Sequence, residues 1–547
     1  MEPLDLAEAA ACRLNRSQLQ PDGDGGVFWL EQRPDLEGRT ILCRRKRNGE
    51  LSQVGKSQWS ISSSIGGYGG RAYLVVADGA YVVLSSTHEI WFLPNDGEPS
   101  CFFTPPSNWA LGDLVLTSRG LTAIREISSD VIDRSIVVMN DDGNVEVLFQ
   151  GPHFLMDLRS SPEGDAVAFV QWEHPKMPWD AGAVVLALVE PEGQVKVDQV
   201  FGGVTAPSWS PRFSSVGQFS FQQTVGEWIS PVVIDERGST TFGGSADYAD
   251  VPWTSAQGSH LVRMNGDLLA VARVGGMHQL EQLSNERRRI EGVPVTIVDL
   301  CETNGEVVVL AATNEHRTTL FHLDDEHHRL RPLLFEAPRT ATPFQSLVIH
   351  GNDGRRIEGF LALPEGGGNP PLVVFCHGGP TAPVDPSFDP AVQVFCSRGF
   401  AVAAPNYRGS TGFGRTYRTA LDGKWGIADV SDVVDYAMGL VDLGLVNGDA
   451  LFIRGGSAGG FTALRALSSG KFLGATGNYA CTDLLQLAAV THDFELHYLD
   501  TLLGPLPSHE HLYLERSPIH HPEALKGSVL LLQGTDDVVV PPSQTED

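Results

Sequence analysis

Cysteine is scarce in this sequence: Cys12, Cys43, Cys101, Cys301, Cys376, Cys396 and Cys481 are the seven in 547 residues. They stand singly, with no CxxC pair, which argues against a zinc ribbon and against a disulfide-stapled scaffold. Long apolar runs are missing as well. Nothing approaches the roughly 18 consecutive apolar residues that a membrane-spanning helix needs. The opening stretch MEPLDLAEAAACRLN is acidic and lacks the basic start and apolar core of a secretory signal. Positive charge is in deficit, with 39 Lys and Arg against 67 Asp and Glu and a net charge of −28. Such a surface repels phosphates, so nucleic acid and anionic membrane are poor partners, while solubility is favoured. Histidine pairs such as His327-His328 show no metal spacing, and no phosphate-binding loop is present. A reducing, cytoplasmic setting fits these absences best.

What is present divides in two. A chain of this length exceeds one compact core. From about 20 to 335 the pattern reads as all-β. Val-rich runs at 79–86, 166–172, 267–274 and 306–313 are separated by turn residues such as Asn95-Asp96-Gly97, Asp142-Gly143-Asn144 and Asn304-Gly305. Ser161-Pro162-Glu163-Gly164 and Trp209-Ser210-Pro211 form a weak echo about one blade-length apart. Such spacing suits a β-propeller, with a β-sandwich array as the competing architecture.

The texture changes near 340, and domains are expected at 1–340 and 341–547. A hairpin around 349–364 precedes apolar strands at 372–376, 400–405, 451–455 and 528–534. Their near-continuous apolarity predicts burial on both faces of a mostly parallel sheet. Between the second and third, residues 429–443 carry Val430, Val433, Val434, Ala437 and Val441 on one helical stripe. Asp429 and Asp432 then fall in the first turn, where the helix dipole favours acids. Strand, helix and strand make a βαβ crossover.

The chemistry is concentrated here. Strand LFIRG runs into Gly455-Gly456-Ser457-Ala458-Gly459-Gly460 and then a helical pattern, a G-x-S-x-G nucleophile elbow in its required context. The turn is tight enough that the residues two positions either side of the serine, Gly455 and Gly459, need to be glycine. Upstream, strand LVVFC ends in His377-Gly378-Gly379-Pro380. In this fold that loop donates one oxyanion-hole N–H and the residue after the nucleophile donates the other, which selects Gly379 and Ala458. Gly534-Thr535-Asp536-Asp537 follows the last strand, and either aspartate suits the Ser…Asp…His order of an α/β-hydrolase. Glu495 is a candidate partner for a peptide α-ammonium group.

Together, the His377-Gly378-Gly379-Pro380 loop, the stretch Pro405-Asn406-Tyr407-Arg408-Gly409-Ser410-Thr411-Gly412-Phe413-Gly414, the elbow, Arg516-Ser517-Pro518-Ile519 and G-x-x-D-x-x-V-P resemble the prolyl oligopeptidase family. The acylaminoacyl-peptidase and dipeptidyl-aminopeptidase-like branch matches best. Trp29-Leu30-Glu31, Arg33-Pro34 and Met177-Pro178-Trp179-Asp180 resemble that branch's propeller. The resemblance implies a seven-bladed propeller capping the hydrolase domain, short peptide substrates and an acyl-enzyme formed on Ser457. It implies no metal or organic cofactor, and leaves homo-oligomer formation open. It selects Asp537 over Asp536. It makes Tyr407 a candidate for the active-site floor and gives Arg408 a structural part.

Two departures stand out. Gly66 and Gly67, within SSSIGGYGG (62–70), occupy positions where many relatives carry charged residues. No histidine follows Asp537. His520 and His521 precede the acid and are poor substitutes. The expectation is a hydrolase domain incomplete at its C-terminus, with little turnover and with buried strand surface laid bare. An esterase on the same fold and a non-catalytic propeller binding protein are the rival readings.

Overall fold

The structure, a computed structural model, describes residues 4–546 except 12–13, 130, 141–142, 256–257, 285, 293–294 and 335–340. Cys12, Asp142 and the border expected between 340 and 341 therefore lie outside, or against, the described residues.

Seven four-stranded antiparallel sheets succeed one another from Asn15 to Pro332 and form a seven-bladed propeller. The Val-rich runs become second strands of blades: Gly79–Val83, Ala166–Trp172, Leu268–Val274 and Glu306–Ala312. They are apolar on both sides because each blade is sandwiched between its neighbours. The innermost strands carry bulges, at Gln18, Asp113, Asp157 and Ser210 in left-handed backbone. These bulges turn polar groups onto the next blade. Asp113 accepts N–H bonds from Arg71 (2.7 Å) and Asp157 (2.6 Å), so it staples the second and fourth blades to the third. Arg212 of the fifth blade reaches Asp299 of the seventh at 3.1 Å. Among the described residues, no strand of the first blade joins the last. That seam is closed by Leu19 N–H donating to Asp299 (2.9 Å) and Arg16 donating to the Thr318 carbonyl (2.6 Å), together with side-chain packing.

The remaining strands form one seven-stranded sheet. Its order is Gln345–His350, Arg356–Ala362, Ala401–Asn406, Leu372–Cys376, Leu451–Ser457, Gly474–Ala480 and Ser528–Leu532. The first two pairings are antiparallel and the other four parallel. The α/β-hydrolase reading holds. Helix Leu6–Ala11, ahead of the propeller in sequence, packs on hydrolase helix Pro390–Cys396. The blades proper thus occupy less than 1–340. Among the described residues, no helix is long and apolar enough to cross a membrane.

Two local expectations need correction. Helix Ala428–Asp442 forms as its stripe predicts, but Asp429 and Asp432, expected as acids favoured by the helix dipole, are fully buried and held by other groups. Asp429 accepts from Gly426 N–H (2.7 Å) and Thr462 Oγ1 (2.6 Å); Asp432 is gripped by Arg355 and Arg408 at 2.5 and 2.8 Å. Tertiary partners, rather than the dipole alone, account for both acids. The second correction concerns strand Ser528–Leu532. It pairs on one edge only, and Val529, Leu530 and Leu532 are 41%, 54% and 51% exposed. Apolarity alone predicts burial on both faces, whereas the expectation of strand surface laid bare agrees with these exposures. An open apolar groove of about 520 Å³ runs between it and Phe400, Phe452 and Leu473.

Candidate active site

Ser457 ends the fifth strand of the sheet and caps helix Ala458–Leu467. Its backbone sits at φ 55° and ψ −127°, a strained conformation for a residue with a side chain. The flanking glycines have a steric cause. A Cβ on Gly455 would lie 2.2 Å from the Gly459 carbonyl, and one on Gly459 would lie 2.3 Å from that of Cys376. Ala458 opens the helix, so its N–H has no acceptor within the helix. Across the gap, the loop His377 to Pro380 comes close enough that a Cβ on Gly378 would be 3.7 Å from Ser457 Cβ.

A cavity of about 450 Å³ brings together Ser457, Ala458, Gly379, Asp537 and Glu495. Asp537 Oδ1 accepts the N–H groups of Val539 and Val540, both at 2.9 Å, which fixes its carboxylate on the turn. Asp536 points outward, touching only Thr535 among its described hydrogen-bond partners. The geometry thus separates the two aspartates that sequence spacing left equivalent.

Glu495 stands on the short turn Asp493–Glu495 and accepts a hydrogen bond of 2.5 Å from Tyr68 Oη. Burial pushes its carboxyl above the ordinary range. Tyr68 comes from the 62–70 segment whose glycines depart from the family pattern. A phenol therefore meets Glu495 from the propeller side. Trp253, also from the propeller, lies edge-on to Tyr68 at 5.5 Å and donates to the Thr381 carbonyl at 2.8 Å. Sequence reading missed both, and also missed Cys481. That thiol lines the cavity beside Ser457, and burial pushes it up to about 12, so it stays protonated.

Tyr407 does not reach the cavity. It is fully buried, stacked on His377 with centroids 4.1 Å apart, and its Oη donates to the His377 carbonyl at 2.7 Å. It supports the glycine loop from behind, which corrects the expectation of a substrate contact. Burial lowers the His377 imidazole to about 4, and its Nε2 pairs with Ser410 Oγ at 2.8 Å, so it is a structural group. Arg408 serves Asp432, as its structural part implied. Trp179 packs at 4.8 Å on Trp253, while Asp180 bridges the domains to Arg418 at 3.0 Å. Among the described residues lining the cavity there is no histidine, and His520 and His521 lie elsewhere.

A seven-bladed propeller seated over an α/β-hydrolase sheet, with a serine elbow between them, defines a propeller-capped serine hydrolase. The model of the prolyl oligopeptidase family matches residues 386–547. By that match, the stretch 386–547 is similar to this family of serine peptidases, and the fold of the whole chain agrees with it. The acylamino-acid-releasing enzyme of Arabidopsis thaliana is 32% identical over 189 residues, 32% of this chain and 24% of that protein. Dipeptidyl aminopeptidase BIII of Pseudoxanthomonas mexicana is 26% identical over 232 residues, 40% of this chain and 33% of that protein. The matched stretch thus spans a third or less of these curated relatives. Among solved structures, a Mycobacterium tuberculosis puromycin-hydrolyzing peptidase superposes with a TM-score of 0.92 at 29% identity, covering 100% of this chain and 90% of its own. A puromycin hydrolase variant complexed with PGG gives 0.93 at 27% identity, covering 100% and 89%.

Proposed function

We propose that this protein is a serine peptidase acting on short peptides with a free amino terminus. The observation that carries the reading is one cavity holding an elbow serine, a glycine-loop N–H pair and, at its far wall, a desolvated carboxylate. In this reading Ser457 Oγ attacks the carbonyl carbon of the first peptide bond. The N–H groups of Gly379 and Ala458 take the developing oxyanion, where fixed donors in a sheltered site contribute more than water would. Glu495, oriented by Tyr68, binds the α-ammonium group and so sets which bond lies over the serine. The apolar wall formed by Trp425, Leu499 and Leu502 receives the first side chain. Asp537 orients the proton-accepting imidazole that the family places after the acid. Short peptides are favoured because the propeller roofs the cavity, and the free described cysteines agree with a reducing, cytoplasmic compartment.

A second reading, a peptide-binding protein without turnover, is favoured by the histidine-free lining among the described residues. A fluorophosphonate probe separates the two. Labelling of Ser457 that accelerates with added imidazole, or when a histidine-bearing segment follows residue 547, supports the peptidase. Probe incorporation that is equal in Ser457→Ala, or absent under every condition, rejects it.

A further inference from the structure

Away from the serine, the two domains meet at a cluster of nitrogen and oxygen donors that the peptidase reading does not use. His153 precedes strand Phe154–Ser160 and His174 follows strand Ala166–Trp172, and Phe154 pairs with Trp172 in register. The end of this strand pair opposite its 161–165 turn therefore projects both imidazoles side by side toward the hydrolase domain, with centroids 4.4 Å apart. His153 Nε2 lies 2.9 Å from both carboxylate oxygens of Asp493, and His174 Nε2 lies 3.2 Å from Oδ1. The other carboxylate oxygen is already held by Arg134 Nη2 at 2.9 Å. Arg134 is itself locked by Glu126 (2.9 Å) and by the His153 carbonyl (2.7 Å), with its guanidinium over the Phe154 ring.

We propose that His153, His174 and Asp493 form a binding site for one divalent transition-metal ion of the zinc class, bridging the propeller and the hydrolase domain. Two imidazole nitrogens with one carboxylate oxygen are a borderline donor set, which suits zinc and its neighbours and not calcium or magnesium. The three ligand atoms lie within 4.8 Å of one another, and tetrahedral bonds of about 2.0–2.2 Å require the imidazole–carboxylate contacts to open by a few tenths of an ångström to admit the ion. Arg134 acts as the outer-shell partner that orients a ligating carboxylate and leaves one oxygen available. The side chains of His153, His174 and Asp493 are 27%, 20% and 18% exposed, so an ion can enter from solvent and a water can complete its coordination. Each ring must carry its remaining proton on Nδ1 when the ion binds. Asp493 opens the same short turn that ends at Glu495. An ion here therefore ties the position of Glu495 to the propeller.

The test is independent of peptidase activity. The untagged full chain, freed of metal with a chelator, is titrated with zinc by calorimetry and with Co2+ by absorption spectroscopy. One ion per chain is expected, with the ligand-field bands of four-coordinate Co2+ and a higher Tm on saturation. His153→Ala and His174→Gln should each weaken binding at least about tenfold, whereas His520→Ala should not, with folding checked by circular dichroism. Asp493→Asn adds a second line of evidence, but it leaves Arg134 facing a neutral amide and can unsettle the interface. The absence of saturable binding, or binding that survives both histidine variants, overturns the proposal and leaves the cluster a hydrogen-bonded latch between domains.

Discussion

The two walls of the cavity are built in different ways. On the hydrolase wall, Ser457, Gly379 and Asp537 stand at or beyond the carboxyl ends of parallel strands of one sheet, positions fixed by sheet register. On the propeller wall, Tyr68 and Trp253 project from connecting segments, and their positions depend on how blades dock against residues more than 100 positions away. The first wall is rigid because its backbone is covalently and sterically over-determined, with glycines that tolerate no Cβ. The second is held by single hydrogen bonds and ring contacts worth about 1 kcal/mol each. Chemistry placed on the first wall and selection on the second should therefore respond differently to mutation.

The sharpest break in that comparison is Ser457→Ala. It should lower hydrolysis or probe acylation by roughly 10³-fold or more while leaving peptide binding intact, measured by labelling and by equilibrium binding of a short peptide. Next comes Glu495→Gln, a residue of the hydrolase chain facing the propeller. Loss of a charged hydrogen-bond partner costs about 1.5–3 kcal/mol, so kcat/KM for free-amine peptides should fall about 10- to 100-fold, with N-acylated analogues much less affected. Equal losses for both substrate types would put Glu495 outside recognition. Because its carboxyl is raised, recognition of the ammonium group should fade on acidification earlier than an ordinary glutamate would predict, and pH profiles of KM should show this. Tyr68→Phe, on the propeller wall, should cost about 2- to 10-fold, mainly in KM. The smallest activity effect is expected behind the elbow. Buried Asp429 is raised to about 6 from 3.8, so the folded state holds its proton more tightly than the unfolded chain does. That contribution is complete below pH 3.8 and is lost as pH rises toward 6. Its full span is up to about 3 kcal/mol by linkage. Asp429→Asn should flatten the stability curve over that window in denaturant titrations, with kinetics nearly unchanged.

The same contrast explains what could be read from sequence. The elbow, the glycine loop and the acid were legible because each is a short motif whose geometry is local: strand, turn, helix. The Val-rich blade strands were legible for a similar reason, although only the family resemblance separated a propeller from a sandwich array. Tyr68 was not legible, since its partner lies 427 residues away and nothing in SSSIGGYGG announces a contact. Tyr407 was misplaced because a motif shared with a family says which residue is near the site and not which way its ring turns. Asp429 and Asp432 read as dipole acids in the sequence, because Arg355, Arg408 and Thr462, which bind them, come from other segments. Strand Ser528–Leu532 shows the limit of apolarity itself: the pattern reports what a strand can bury and is silent on what covers it.

The seam of the propeller has a mechanical consequence. A circle whose first and last blades share no ladder is a split washer, resisting compression but springing apart under modest tangential load. Each contact across the gap is worth on the order of 1 kcal/mol, against a whole strand's worth in a welded ring. Breathing of the roof over the serine should therefore begin between blades one and seven, where amide protons ought to exchange soonest.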